Sequence, residues 1–303
     1  MAETGRQGAL VVACDDNSPL VDGLTAAIRG EPAALERRRF PDGESYLRMD
    51  TDPRGRDVAV VASLCPPDPE LFAVLALGDA LRELGARRVM LVAPYLPYMR
   101  QDVRFRAGEA VSSRTFARLI SSAYDGLLTV DPHLHRYTTL DEIFSIPCEI
   151  CRSAASLATW IGNQVDRPVL IGPDEESEQW VATVAEPIRA PWTVLSKVRH
   201  GDRDVDIRIP EVARYLERTP ILVDDIISTG TTMAAAVAQL RGAGFRAPHC
   251  LGIHAVFAEG ARSALEKAGA EQIVTTNTLP HATNGIDLAE PLADSLRRLL
   301  RLA

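Results

Sequence analysis

Ile221-Leu222-Val223-Asp224-Asp225-Ile226-Ile227-Ser228-Thr229-Gly230-Thr231-Thr232 runs from apolar residues through two carboxylates into a small, hydroxyl-rich turn. After Pro220, the apolar, mostly β-branched residues Ile221 to Val223 predict a fully buried parallel strand, and Met233 to Leu240 is built of strong helix formers. The turn between them therefore falls at the carboxyl end of a strand and the amino end of a helix. Backbone N–H groups there lack intrahelical partners, the helix dipole is positive, and Gly230 clears a side chain from the path of an approaching phosphate. Ser228, Thr229, Thr231 and Thr232 add hydroxyl donors, so the loop can enclose a monophosphate. Asp224 and Asp225 suit the vicinal hydroxyls of a ribose or a shared Mg2+. Helix capping alone would also favour Ser and Thr here, but it has no use for two adjacent acids just past a core strand.

Outward from this loop the chain repeats one pattern. Apolar strand-like runs (Ala9–Val12, Val58–Ala62, Val89–Val92, Leu127–Val130) alternate with helical segments (Leu20–Arg29, Leu71–Leu84, Ser112–Ala123) in the first half. The second half does the same, with strands at Val169–Gly172, Pro191–Ser196, Ile221–Val223, His249–Val256 and Gln272–Thr275 and helices at Ala154–Gln164, Glu176–Ala185 and Gly260–Lys267. Such alternation predicts an α/β protein with two tandem, mainly parallel sheets flanked by helices, in domains 1–150 and 151–303. Ala289–Leu302 has Leu at helical spacing and Arg on the other face, an amphipathic helix for either half or a neighbour. Only the second half carries the two-acid loop. Leu127 to His135 is taken as its counterpart in the first half, which implies a duplicated fold whose copies diverged.

Composition narrows the functional classes. The 46% hydrophobic content supports real cores, and the net charge of −8 speaks against a nucleic-acid surface, so phosphate chemistry must be local. No run of 18 apolar residues appears and the amino terminus has no signal-peptide pattern, which gives a soluble, cytoplasmic expectation without membrane partners. The five cysteines are scattered, and Cys148 and Cys151 read as ordinary thiols at a domain junction.

Further segments carry chemistry of their own. In Arg39-Phe40-Pro41-Asp42-Gly43-Glu44 a turn presents an aromatic ring and two carboxylates, although a plain hairpin would use the same residues. In Pro94-Tyr95-Leu96-Pro97-Tyr98-Met99-Arg100-Gln101-Asp102-Val103-Arg104, the arginines can grip polyphosphate oxygens by forked hydrogen bonds, and Gln101 offers a donor and an acceptor to adenine or ribose. Asp131-Pro132-His133-Leu134-His135 ends a strand with an acid and two imidazoles; no third ligand at recognised spacing makes this a zinc site. Gly172-Pro173-Asp174 ends another strand, and Lys197-Val198-Arg199 enters a charged segment.

The two-acid loop resembles the phosphoribosyl-diphosphate motif of the phosphoribosyltransferase fold. Taken with the other segments, in order along nearly the whole chain, it is similar to the ribose-phosphate pyrophosphokinase family. That resemblance implies transfer of the β,γ-diphosphoryl group of ATP to the C1 hydroxyl of ribose 5-phosphate, with Mg2+ as cofactor. It implies that Phe40 stacks on adenine while Asp42, Gly43 and Glu44 hold its polar edge, and that Arg100, Gln101, Asp102 and Arg104 bind ATP. His133, Asp131 and Asp174 would serve the metal, His133 directly or through water. Lys197 and Arg199 would form a catalytic lid, Arg199 also touching the sugar phosphate, and Asp224, Asp225 and Ser228 to Thr232 would hold ribose 5-phosphate. The family's adenine loop serves a neighbouring subunit, which implies a homodimer or higher homo-oligomer with a shared ATP site.

Departures from the family pattern stand at Ser228, where many relatives have an acid, at Phe105, and at Glu175 and Glu176. A hydroxyl at 228 can hydrogen-bond a sugar but cannot balance Mg2+ charge. Two rivals share parts of the pattern. A phosphoribosyltransferase would keep the sugar loop without the Phe40 and Arg100 segments, and a non-catalytic regulatory homologue would keep the fold and lose the catalytic side chains.

Overall fold

The computed structural model describes residues 8–15, 17–195, 197–199, 205–207 and 212–302. Of these, the residues up to Arg152 and from Leu288 onward form one compact unit, and Ser153–Asp287 form the other.

The first unit runs β1 (Leu10–Ala13), α1 (Ser18–Ile28), β2 (Glu31–Ala33), β3 (Leu35–Arg39), β4 (Ser45–Met49), β5 (Asp57–Val61), α2 (Pro67–Glu83), β6 (Arg88–Ala93), α3 (Ser112–Ala123), β7 (Gly126–Val130) and β8 (Cys148–Cys151). Its six-stranded sheet has the order β2-β1-β5-β6-β7-β8, parallel throughout, while β3 and β4 pair only with each other as an antiparallel hairpin. β5 and β7 are buried at every residue, as sheets covered on both faces require, and their Val and Leu side chains join Val74, Leu77 and Leu81 of α2 and Phe116 and Ile120 of α3 in one core.

The second unit continues with α4 (Ala154–Gln164), β9 (Pro168–Gly172), α5 (Glu178–Ile188), β10 (Trp192–Val194), β11 (Lys197–Arg199), β12 (Val205–Ile207), β13 (Thr219–Ile226), α6 (Thr231–Gly242), β14 (His249–His254), α7 (Ala261–Ala268), β15 (Gln272–Thr276) and β16 (Asn284–Ile286). Its sheet order is β10-β9-β13-β14-β15-β16, again parallel, with β11–β12 as a separate antiparallel pair. The last helix, α8 (Ala289–Leu302), packs on α1, β7 and β8 of the first unit. Its Leu292, Leu296 and Leu299 are fully buried, each contributing about 1.5–3 kcal/mol by area, and Arg298 on the polar face meets Glu149 at 2.6 Å.

The fold class stands as expected, and two details change. β13 runs through Asp224 and Asp225 to Ile226, so both acids belong to the strand end and only Ser228 to Gly230 form the turn. Pairing with β14 carries the strand onward: Asp224 lies beside Gly252 and Ile226 beside His254. The second correction concerns the duplicated loop. Each strand of the second sheet occupies the place of the strand eight earlier, so the counterpart of β13 is β5, not the Leu127–His135 segment, which follows β7. Buried parallel strands read alike in sequence, and only sheet order tells them apart.

Candidate functional site

Ligands of open parallel sheets bind beyond the carboxyl ends of the strands. In the second unit that edge gathers the ends of β9 and β13. At β9, a Cβ on Gly172 would lie 2.5 Å from Ser177 Oγ and 2.8 Å from Val194, so only glycine lets the chain turn there into Asp174. Asp174 then caps a short turn: its carboxylate accepts from Glu176 N–H at 3.2 Å, and Ser177 Oγ donates to its carbonyl at 2.5 Å. Asp174 is held in place while still acting on its neighbours. The Asp224 carboxyl is pushed well above the usual carboxylate range, first by burial and then by the charges of Asp225 and Asp174. A buried carboxyl with two further carboxylates close by suits a hard divalent cation or the hydroxyls of a sugar.

The turn after β13 is fixed from behind. Ile227 N–H donates to His254 O, Phe257 N–H to Ile227 O, and Ala258 N–H to Ser228 O, at 2.9 to 3.1 Å. Gly230 is buried, adopts φ +70°, and sits where a Cβ would meet the Ala261 carbonyl at 3.2 Å. Ser228 and Thr232 are half-buried and Thr229 and Thr231 exposed, so hydroxyls line a turn that opens to solvent. Gly230 at the start of α6 has no side chain to cap the helix, and Thr231 N–H makes a long bond, 3.4 Å, to Thr229 Oγ1. The sequence predicts His249–Val256 as strand and Gly260–Lys267 as helix, but the bracing of the turn by this segment is backbone pairing and has no side-chain signal.

The first unit places the remaining segments. Phe40 to Glu44 close the β3–β4 hairpin: Phe40 N–H donates to Glu44 O at 2.8 Å, and Glu44 N–H to Asp42 Oδ1 at 3.2 Å. The plain hairpin and the aromatic display are both present. Phe40 is 40% exposed, with the Arg38 guanidinium 4.7 Å from its ring centre. Arg100 and Arg104 are exposed on the loop after β6, while Gln101 accepts from Ser112 Oγ at 3.2 Å. Asp102 behaves differently: it is buried, and Arg136 takes both of its oxygens. Asp131 is also buried, in a left-handed backbone conformation (φ 32°), and is paired with Arg152 at 3.2 Å. Its neighbour His133 is half-buried, with His135 edge-on at 5.1 Å between ring centres. Lys197 and Arg199 lie on β11, and their side chains are outside the described residues.

A parallel sheet whose strand-end loop joins two acids to Ser-Thr-Gly-Thr-Thr defines the phosphoribosyltransferase-type fold, and here the sheet occurs twice. Residues 9–123 match the N-terminal domain of ribose phosphate pyrophosphokinase, and 140–291 match the phosphoribosyl transferase domain. The ribose-phosphate pyrophosphokinase of Methanopyrus kandleri is 35% identical over 96% of this chain and 99% of its own length, and that of Methanosarcina acetivorans 34% identical over 93% and 97%. The crystal structure of phosphoribosylpyrophosphate synthetase from Mycobacterium smegmatis superposes with a TM-score of 0.86 at 27% identity, covering 98% of this chain and all of that one. The chain belongs to the ribose-phosphate pyrophosphokinase family. Among the described residues no helix is long and apolar enough to cross a membrane.

Proposed function

We propose that the protein is a ribose-phosphate diphosphokinase. The observation that carries this reading is the match of residues 9–123 to the pyrophosphokinase N-terminal domain, alongside an open sugar-phosphate cradle in the second unit. The C1 hydroxyl oxygen of ribose 5-phosphate attacks the β-phosphorus of ATP. A new O–P bond forms, the bond from the β-phosphorus to the bridging oxygen breaks, the hydroxyl proton is lost to solvent, and AMP leaves.

Phosphoryl transfer asks for positioning and charge stabilisation more than covalent chemistry. In this reading Ser228 to Thr232 and the α6 amides hold the 5-phosphate, and Asp224 and Asp225 hold the ribose hydroxyls. Phe40, Asp42, Gly43 and Glu44 meet the adenine, at a site shared within a homodimer or larger assembly, and Arg100, Gln101 and Arg104 meet the polyphosphate. Mg2+ suits the donor set Asp174, Asp224 and Asp225, with His133 on the nucleotide side; bound there it would offset negative charge on the phosphoryl oxygens. Asp131, paired with Arg152, supports the turn that presents His133. Lys197 and Arg199 stabilise the developing charge, and Lys197→Ala is expected to lower kcat by about a hundredfold or more. Near-normal turnover in a folded variant would remove Lys197 from that role.

The direct test is AMP formation from ATP, Mg2+ and ribose 5-phosphate, with no nucleobase present. AMP release that requires ribose 5-phosphate supports the reading. No AMP under these conditions, or release only when a nucleobase and phosphoribosyl diphosphate are supplied, would point to a regulatory homologue or a transferase.

A further inference from the structure

Asp102 lies in the segment that, in the proposed function, grips ATP, yet its side chain is wholly buried and Arg136 holds both of its oxygens. Arg136 Nη1 donates to Oδ1 at 2.7 Å and the Arg136 N–H donates to Oδ2 at 3.2 Å. The next residue joins in: Tyr137 Oη donates to the Asp102 carbonyl at 3.1 Å and lies 3.2 Å from Ser113 Oγ. The same Arg136 guanidinium stands 5.1 Å from the ring centre of Phe105, which is 62% exposed. Arg136 follows His133 by three residues, so these contacts tie the turn that carries His133 to the loop that carries Arg100, Gln101 and Arg104.

We propose that Arg136 is a positioning residue for the nucleotide half of the site, acting through Asp102 and Phe105 rather than by touching ATP. This rests on the reading that Arg100, Gln101 and Arg104 bind ATP. A carboxylate with both oxygens engaged has little left for a nucleotide, but it is a firm post for a loop. Besides the Arg136 contact with Phe105, the outer part of the loop is held by Glu109, whose carboxylate accepts from Phe105 N–H at 2.8 Å and Arg106 N–H at 3.0 Å, and whose carbonyl accepts from Arg104 Nε at 2.9 Å. Without the Arg136 guanidinium the buried Asp102 carboxylate loses its counter-charge, and the inner tether is left to the backbone N–H of residue 136 and to Tyr137 Oη. Phe105 also gains a reason. An acid at 105 would compete with Asp102 for the guanidinium, whereas an aromatic face receives it by cation–π contact and leaves Nη1 on Asp102.

The experiment uses the full chain with Arg136→Ala, Arg136→Lys and the double variant Asp102→Asn/Arg136→Gln, which removes both charges and guards against misfolding. Steady-state kinetics, calorimetric binding of ATP with Mg2+, and amide hydrogen exchange are measured on each. Arg136→Ala is expected to lower kcat/KM for ATP by about a hundredfold, as a small misplacement of binding groups does, with the KM for ribose 5-phosphate unchanged. Amides from Phe105 to Ser113 should exchange faster and those of β5 and β6 should not. Arg136→Lys should recover only part of the loss, since an ammonium can pair with Asp102 but has no planar face to stack on Phe105. The double variant should remain folded and show the same ATP defect and fast loop exchange. Unchanged loop exchange, equal loss of affinity for both substrates, or full recovery with lysine would overturn the proposal. If the wild-type protein forms no AMP, the proposed function fails on its own, while exchange and ATP calorimetry still decide the role of Arg136.

Discussion

Asp224 concentrates the chemistry of the second unit in one side chain. Burial and the nearby charges of Asp225 and Asp174 raise its folded pKa, whereas the unfolded chain titrates near the ordinary value of about 3.9. Between those two values the folded state binds more protons than the unfolded one, so this carboxyl makes stability fall as pH rises from about 4 towards the folded pKa. A divalent ion competes with the same proton, so Mg2+ affinity should rise with pH over that interval. Asp224→Asn should abolish the pH-dependent part of Mg2+ binding in calorimetry. It should also raise the melting temperature of the ion-free protein by roughly 2–4 °C near neutral pH, the effect of about 1 kcal/mol in a domain of this size. An unchanged pH profile in the variant would show that Asp224 is not the titrating group. The adjacent acids were legible in sequence because no structural need explains them. Asp174 as a third, interacting charge was legible only through family resemblance, since 50 residues of chain separate it from Asp224.

Loops at this scale depend on the elements behind them. Gly230 is both left-handed and packed against the Ala261 carbonyl at the start of α7, whereas Gly55 has nearly the same φ, +71°, and open space around it. Gly230→Ala is therefore expected to cost about 1–2 kcal/mol for the backbone alone, plus a packing term that Gly55→Ala lacks. Urea unfolding measures the difference, and equal destabilisation of the two variants would show that α7 does not brace the loop. The sequence predicted every long helix and the central strands, whose 3.6-residue and apolar patterns are strong. It gave no notice of β8 and β16, short edge strands recognisable only by the neighbour they pair with. Arg136 was invisible for a related reason: it meets Asp102 across 34 residues, and only tertiary folding sets that pairing.

Across the whole molecule the two units repeat one plan. Both sheets share an order, both carry an antiparallel pair between their second and third sheet strands in the chain, and α8 stands on α1 and β8 as α4 stands on α5 and β16. The hairpin bearing Phe40 and the strand pair bearing Lys197 and Arg199 thus occupy the same slot in the two units. The cradles have diverged. At the first unit's equivalent edge the Asp15 carboxylate accepts from Ser63 N–H and Asn17 Nδ2 donates to Ser63 Oγ at 3.4 Å, so the first unit fills with its own side chains the place where the second keeps a hydroxyl-lined turn. In the proposed function this divergence gives each substrate its own copy, the sugar phosphate the second and the nucleotide the first. In that proposal a diphosphoryl group, not a single phosphoryl group, passes from ATP to the sugar. Phosphorus NMR of the wild-type protein with ATP, Mg2+ and ribose 5-phosphate measures this directly. AMP together with a new diphosphate on C1 of the sugar, in equal amounts, is the expected result; ADP with a singly phosphorylated C1, or ATP left unconsumed, would contradict diphosphoryl transfer.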